Sequence, residues 1–324
     1  MKVSRHSFSF ILVFLVFNSF VFAMGKCTPA VVKVGKTQKG CIRVDGIKRF
    51  YRLFVPIGYK GKANSLIVAL HGGGGSAKYF EKYSDFSVLS QKSKKFIVIY
   101  PEGIKKHWND GRVNVNANIN DVAFIERLIE NILQKTTIKK KNIYVSGMSN
   151  GGLMAIRIGC ESNLVSGVGV VAATMPLYLV NICKNTSKPI AFIVGSEDKV
   201  FLNDGRQVSP LNQHKVLGRH LGIEKSLAYW KKKNACKGKM SEVSIIDKHQ
   251  KKFGKYKDDH TVVKIKRYKS CKKEILFYNV QGGGHRWPEP DAGNGFLIRK
   301  TFNLGWASHE ISSAEVLWRF FDRN

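Results

Sequence analysis

Ile143-Tyr144-Val145-Ser146-Gly147-Met148-Ser149-Asn150-Gly151-Gly152-Leu153-Met154 is the stretch whose reading decides the fold. Ile143-Tyr144-Val145 is β-branched and aromatic, as a strand should be, and Gly151 to Ile158 reads as a helix. Between them stands a G-x-S-x-G, Gly147 to Gly151. A strand that turns straight into a helix crowds its own backbone. Glycines flanking the serine remove the side chains that would collide. The hydroxyl is then held out at the sheet's edge, and the helix N-terminus aims N–H groups at developing negative charge. The pattern is short enough to arise by chance, so the strand before it and the helix after it carry the reading. Without them Ser149 would be a helix N-cap serine.

Outward from this turn, short apolar runs alternate with helical spacings. Strands are expected at Phe50 to Val55, Ser65 to Leu70, Phe96 to Tyr100, Asn142 to Val145, Val165 to Ala173, Ile190 to Val194 and Ile275 to Val280. Helices are expected at Phe80 to Ser90, Asp121 to Leu133, Ile223 to Trp230 and Ala314 to Phe321. Such alternation implies an α/β domain with a doubly wound, mostly parallel sheet covered on both faces. The lysine-rich stretch 237–272, with a turn at Tyr256 to Asp259, reads as a strand-bearing insertion too short for a core of its own. Residues 24–324 are therefore expected to form one catalytic domain.

A serine nucleophile needs a base, and the base needs an acid to orient it. In this architecture they follow in the order Ser, acid, His. His285 comes after the strand Ile275 to Val280 and the triplet Gly282-Gly283-Gly284, a loop able to bring an imidazole over the sheet's edge. His214, His220, His249, His260 and His309 lie in stretches that read as basic surface or helix, so each is expected to be exposed and non-catalytic. Ile190 to Val194 runs into Gly195-Ser196-Glu197-Asp198, which makes Asp198 the acid, with Glu197 and Asp204 as rivals. The oxyanion donors expected are the backbone N–H of Asn150 and one from His71-Gly72-Gly73-Gly74-Gly75, most simply Gly73. That glycine loop lacks the Gly-Lys-Ser/Thr ending of a nucleotide P-loop. Trp108-Asn109-Asp110-Gly111-Arg112 and Trp287 are candidates to line a substrate cleft. Packing serves equally well for Trp287, and Asp110 and Asp121 read as makers of loop and cap hydrogen bonds.

The chain has 324 residues, 44% hydrophobic and 24% charged, an ordinary globular balance. Its first 23 residues read as an export signal. Lys2 and Arg5 precede an apolar run from Phe8 to Phe17, and Val21-Phe22-Ala23 offers a cleavage site. The run is short for a membrane span of ~20 residues, and Lys26 before Cys27 argues against a lipoprotein. Export into an oxidising compartment suits the six cysteines, Cys27, Cys41, Cys160, Cys183, Cys236 and Cys271. Six cysteines allow 15 pairings. Sequential pairing, Cys27 with Cys41 included, closes the shortest loops. No C-x-x-C suggests a metal site.

The formal charge is +31. Removing residues 1–23 takes away Lys2 and Arg5 and no acids, leaving +29. Such a field favours nonspecific attraction to anionic polymers or surfaces. No zinc-finger or RNA-binding signature accompanies it, so specific nucleic-acid recognition is not expected.

Across residues 40–324 the chain resembles the secreted polyhydroxybutyrate depolymerase and feruloyl/acetylxylan esterase group of α/β-hydrolases. The resemblance rests on Leu70-His71-Gly72-Gly73, Tyr100-Pro101-Glu102-Gly103, Trp108 to Arg112, Asp121 to Ile125, Gly147 to Gly152, Gly195 to Asp198 and Gly282 to Pro288. It implies a secreted serine esterase with the α/β-hydrolase fold and Ser149, Asp198 and His285 as its triad. Cys160–Cys183 and Cys236–Cys271 look like the group's disulfide positions. The chemistry implied is acyl transfer without metal or cofactor. Gly73 stands where many relatives carry a cysteine, Lys199-Val200-Phe201 replaces a more proline-containing stretch, and no polymer-binding module is appended. The substrate expected is a polyester, or else a feruloyl or acetyl ester on plant polysaccharide. A basic surface-binding protein on a silent hydrolase scaffold is the non-enzymatic alternative.

Overall fold

Leu66, Val68 and Leu70 of strand β3 (Ser65–Leu70) pack into one apolar cluster, and Ile67 and Ala69 into another. β4 (Phe96–Pro101) divides in the same way, Ile97 and Ile99 against Phe96, Val98 and Tyr100. Side chains alternate across a strand, so a run apolar at every position needs cover on both faces. The computed structural model supplies it. It describes residues 27–59, 65–183, 187–202, 204–209, 211–212, 214–247, 260–290 and 304–324. The proposed signal and the turn at Tyr256 to Asp259 lie outside the described residues.

Among the described residues the main sheet has ten strands. β1 (Gln38–Val44), β2 (Ile47–Phe54) and β4 are antiparallel neighbours at one edge. The centre is parallel, in the order β4, β3, β5 (Ile143–Met148), β6 (Gly167–Val171), β7 (Ile190–Gly195) and β12 (Ile275–Gln281). β11 (Val262–Ser270) and β10 (Lys237–Ile246) close the far edge as an antiparallel ribbon, and β8 (Arg206–Val208) and β9 (Val216–Arg219) form a separate hairpin. The lysine-rich insertion is thus an extension of the main sheet.

Helices α1 (Ala77–Ser84), α2 (Phe86–Ser93) and α6 (Ser313–Asp322) cover one face. Helices α3 (Asp121–Leu133), α4 (Asn150–Glu161) and α5 (Gly222–Lys233) cover the other. In α3, Phe124, Ile125, Leu128, Ile129 and Ile132 are buried, a 3.6-residue stripe. Burying each is worth about 1.5–3 kcal/mol. The side chain of Asn120 accepts from the Ala123 N–H (3.1 Å) and opens the helix. This is the doubly wound α/β-hydrolase architecture expected.

The helix expected at Phe80 to Ser90 is in fact two. Asp85 adopts a left-handed conformation (φ 57°, ψ 7°), which ends α1 and starts α2. Aspartate tolerates that region better than most residues, and apolar spacing alone does not register the break. The strand expected at Val165 to Ala173 is shorter, Gly167–Val171. The disulfides pair sequentially, Cys27–Cys41, Cys160–Cys183 and Cys236–Cys271. Each limits the unfolded chain, typically worth 2–4 kcal/mol.

Candidate active site

Ser149 sits between β5 and α4 with φ 55° and ψ −122°, a backbone conformation that non-glycine residues seldom adopt. Its N–H donates to Val171 O (2.9 Å), and its carbonyl accepts from Leu153 N (2.9 Å). Its side chain caps nothing, which removes the N-cap explanation for the serine. The turn is possible because Gly147 and Gly151 lack side chains. A Cβ on Gly147 would lie 2.3 Å from Gly151 O, and one on Gly151 would lie 2.4 Å from the carbonyl oxygens of Leu70 and His71. Both approaches are far inside van der Waals contact.

The same closeness brings the glycine loop after β3 against Ser149. A Cβ built on Gly72 would be 3.6 Å from Ser149 Cβ, and one on Gly73 would be 3.5 Å from Asn150 Cβ. The N–H groups of Gly73 and Asn150 find no acceptor among the described residues. Both are free to donate to an incoming acceptor.

His71 holds this loop. It is buried; Gly103 N–H donates to its Nε2 (3.0 Å), and its Nδ1 faces Gly72 O (2.8 Å). These partners put the proton on Nδ1. Burial lowers its pKa to about 4, so the ring is neutral near pH 7. Gly74 N–H donates to Lys106 O (2.9 Å), and the His107 imidazole packs beside Gly73.

Beneath lies a buried polar network. The Asn150 side chain accepts from Trp108 N–H (2.8 Å) and donates to Trp108 O (3.1 Å) and Asp110 Oδ2 (2.6 Å). Asp110, fully buried, also takes a bidentate pair from Arg112 (Nε–Oδ1 3.0 Å, Nη2–Oδ2 2.6 Å) and the Tyr178 hydroxyl (3.1 Å). Burial, then Asp110, raises the Tyr178 pKa and keeps the phenol protonated as a donor. Asp121 pairs with Arg49 and accepts from Asn109 N–H (2.6 Å). Asp110 and Asp121 thus anchor the loop, as expected, and Asp110 reaches the residue after the nucleophile as well.

Two strands away, Asp198 Oδ2 meets His285 Nδ1 at 2.8 Å, with both side chains buried. Asp198 Oδ1 accepts from the N–H groups of Val200 (2.8 Å) and Phe201 (2.9 Å), which fixes the carboxylate's orientation. With Nδ1 donating to the carboxylate, Nε2 is left as the basic nitrogen. Phe201 stacks on His285 (centroids 5.6 Å apart, 13° between planes) and also lies 5.1 Å from the His220 ring. Glycine again permits the approach: a Cβ on Gly195 would be 2.3 Å from Gly283 O, and one on Gly284 would be 2.1 Å from Leu304 O. Glu197 N–H donates to Gly283 O (2.8 Å), while neither Glu197 nor Asp204 meets the imidazole. Among the described residues the Ser149 hydroxyl takes no hydrogen bond, whereas Asp198 and His285 are joined directly.

Trp108 and Trp287 are both fully buried and present no surface to a cleft. Trp108 Nε1 donates to His71 O (2.8 Å), and Trp287 packs edge-on against Phe80 and Phe86. Both indoles belong to the scaffold, Trp108 in the apolar cluster on one face of the sheet and Trp287 in that on the other. His220 is buried too, against the expectation of exposure. Its Nδ1 accepts from Gly222 N–H (2.9 Å) and meets the Thr174 hydroxyl (2.7 Å). His214 and His260 are exposed and His309 half-buried. His249 lies outside the described residues.

No family model matches the chain. Feruloyl esterase B of Piromyces equi is 26% identical over 260 residues, 77% of this chain and 44% of that protein. Feruloyl esterase C of Emericella nidulans is 27% identical over 201 residues, 59% of this chain and 69% of its own. The chain therefore spans less than half the length of the first and about two thirds of the second. Among solved structures, acetyl xylan esterase from Aspergillus awamori superposes with a TM-score of 0.54 at 14% identity, covering 84% of this chain and 100% of that one.

The chain has the α/β-hydrolase fold, shared with that esterase, and is similar in sequence to the feruloyl esterases. In this chain the strained serine turn, the glycine loop and the Asp198–His285 pair all stand at the C-terminal ends of parallel strands. β3 and β5 are neighbours whose following helices go to opposite faces, α1 to one and α4 to the other. That reversal opens the crevice where ligands bind in open α/β sheets.

Proposed function

We propose that the protein is a secreted serine esterase with Ser149, His285 and Asp198 as its triad. The observation that carries the reading is the buried Asp198–His285 bond at 2.8 Å, carried at the same end of the sheet as the strained Ser149 turn. His285 Nε2 takes the Ser149 proton as the hydroxyl oxygen attacks the ester carbonyl carbon. The carbonyl π electrons move to the oxygen, which rests on the Gly73 and Asn150 N–H groups. Collapse expels the alkoxide, protonated by the imidazolium, and leaves an acyl-serine. Water, deprotonated by His285, attacks the acyl carbon and releases the acid and free Ser149. Asp198 holds the tautomer and balances the imidazolium charge throughout.

The ester is a feruloyl or acetyl group carried by a polysaccharide. The relatives named feruloyl esterase support this substrate over a polyester. Three disulfides support an oxidising, extracellular setting. The purified chain should release ferulate or acetate from feruloylated or acetylated xylan. Release of hydroxybutyrate oligomers alone would turn the substrate reading to polyester, and no release from any ester would end the enzyme reading.

A further inference from the structure

The charge of this molecule is distributed by position in the fold. The described loops at the C-terminal ends of the parallel strands (71–76, 102–120, 172–180, 196–221, 282–290 and 304–312) carry eight Lys/Arg against seven Asp/Glu. The segments at the opposite end of the sheet (94–95, 134–142, 162–166, 187–189, 234–236, 271–274 and 323–324) carry ten against one. Among the described residues the end that holds Ser149 is nearly balanced, and the other is a basic pole.

Four of those ten cations are already engaged. Lys95 pairs with Asp322 (2.9 Å) and Arg323 with Glu274 (3.0 Å). Lys188 is buried on the Ser162 carbonyl (2.7 Å), and Lys135 donates to Ala30 O (3.2 Å). The other six, Lys94, Lys139, Lys140, Lys141, Lys272 and Lys273, are exposed and make no ion pair among the described residues. Beside them Lys237 and Lys239 open β10, and the Cys236–Cys271 disulfide pins that corner. Helix C-termini attract cations, which accounts for Lys231 to Lys233 at the end of α5. It does not account for Lys139-Lys140-Lys141, a separate turn before β5, or for Lys272-Lys273 between two strands. A cleft of about 370 Å³ whose lining includes Lys139, Lys141, Asn142, Tyr144 and one carboxylate, Asp322, already paired with Lys95, opens in the same pole.

We infer that this pole is a docking face for an acidic polysaccharide, a chain bearing repeated carboxylates. Six free ammonium groups spread across the entries to β4, β5 and β12 suit a long polyanion better than one small anion. Binding there leaves Ser149, at the far end of every parallel strand, free to face outward. The dock would hold the enzyme on an anionic matrix while the site samples esters nearby. The choice of a polysaccharide over other polyanions rests on the proposed function, whereas the placement of the dock rests on charge alone.

The test uses the full mature chain on polygalacturonate-agarose, with two five-lysine variants of equal net charge. One reverses the pole (Lys94→Glu, Lys140→Glu, Lys141→Glu, Lys272→Glu, Lys273→Glu). The other reverses exposed lysines elsewhere (Lys39→Glu, Lys78→Glu, Lys82→Glu, Lys215→Glu, Lys225→Glu). The pole variant should bind at least ~10-fold more weakly, with a shallower salt dependence, and the other should lose ~3-fold or less. Hydrolysis of soluble p-nitrophenyl acetate should be unchanged in both. Equal losses would overturn the proposal, since net charge alone would then explain binding. So would tighter retention on duplex DNA or on anionic lipid vesicles than on polygalacturonate. A Lys→Gln set at the same pole positions gives the same comparison if the reversed protein does not fold. Failure of the soluble-ester assay in the wild type would count against the proposed function and leave the dock standing.

Discussion

The two halves of the proposed site are built differently. The nucleophile half, around Ser149, is set by backbone against backbone and by a buried ionic network. Gly147 and Gly151 touch carbonyls directly, Asn150 is bonded on both ends of its amide, and Asp110 has five donors around it. The base half, around His285, depends on one side-chain bond to Asp198 and a stacked phenyl ring, carried on two loops. The first half must present fixed N–H groups to a charge that exists only in the transition state, where preorganisation matters most. The second must let an imidazole gain and lose a proton, and one oriented partner is sufficient for that.

The comparison can be broken most forcefully at the single bond. Asp198→Asn should leave the fold intact, because the amide oxygen can still accept from Val200 and Phe201. It should cut kcat ~10⁴-fold by favouring the wrong imidazole tautomer. A loss below tenfold, measured with a soluble ester, would show that another group orients His285.

In the nucleophile half the largest effect should appear in stability. Asp110→Asn strips the counter-charge from the buried Arg112 and should cost about 3–5 kcal/mol in denaturant unfolding. In the protein that remains folded, kcat should fall with KM little changed, because Asn150 loses the partner that holds it. Unchanged stability would mean that water reaches Arg112.

His71 gives this half its acid sensitivity. Its folded pKa, about 4, lies below the usual histidine value near 6.5 because the ring is buried. Neutral His71 therefore contributes stability that is fully present above pH 6.5. That contribution is lost as pH falls through 4, roughly 3 kcal/mol in all. His71→Gln, which can still accept from Gly103 N–H, should flatten the stability profile between those values. An identical profile in both proteins would assign the acid loss to other groups.

The smallest effect belongs to the ring on the base. Phe201→Leu removes the stack on His285 and should lower kcat several-fold, corresponding to about 1 kcal/mol. A loss as great as that of Asp198→Asn would mean that stacking positions the base as strongly as the carboxylate does.

What the sequence made legible follows the same division. The Ser149 turn is local, because strand, glycines and helix sit within some fifteen consecutive residues, and reading them predicted the architecture. Asp198 and His285 were legible through chain order and through glycines that only make sense at a close approach. The network was less so. Trp108, Asp110 and Arg112 stood out as a polar and aromatic cluster, yet polar residues in a loop look the same whether they face a cleft or lie beneath one. Tyr178, 68 positions from Asp110 along the chain, gave no signal at all. His220 read as surface because its neighbours are basic, whereas the fold turns it inward onto Thr174. The break at Asp85 depends on one backbone angle that hydrophobic spacing does not report.

The most direct test of the whole account is fluorophosphonate labelling read by intact mass and peptide mapping. The account predicts one adduct, on Ser149, formed rapidly in the wild type, absent in Ser149→Ala and slowed by orders of magnitude in His285→Ala. Labelling at another residue, or a rate indifferent to His285, would contradict it.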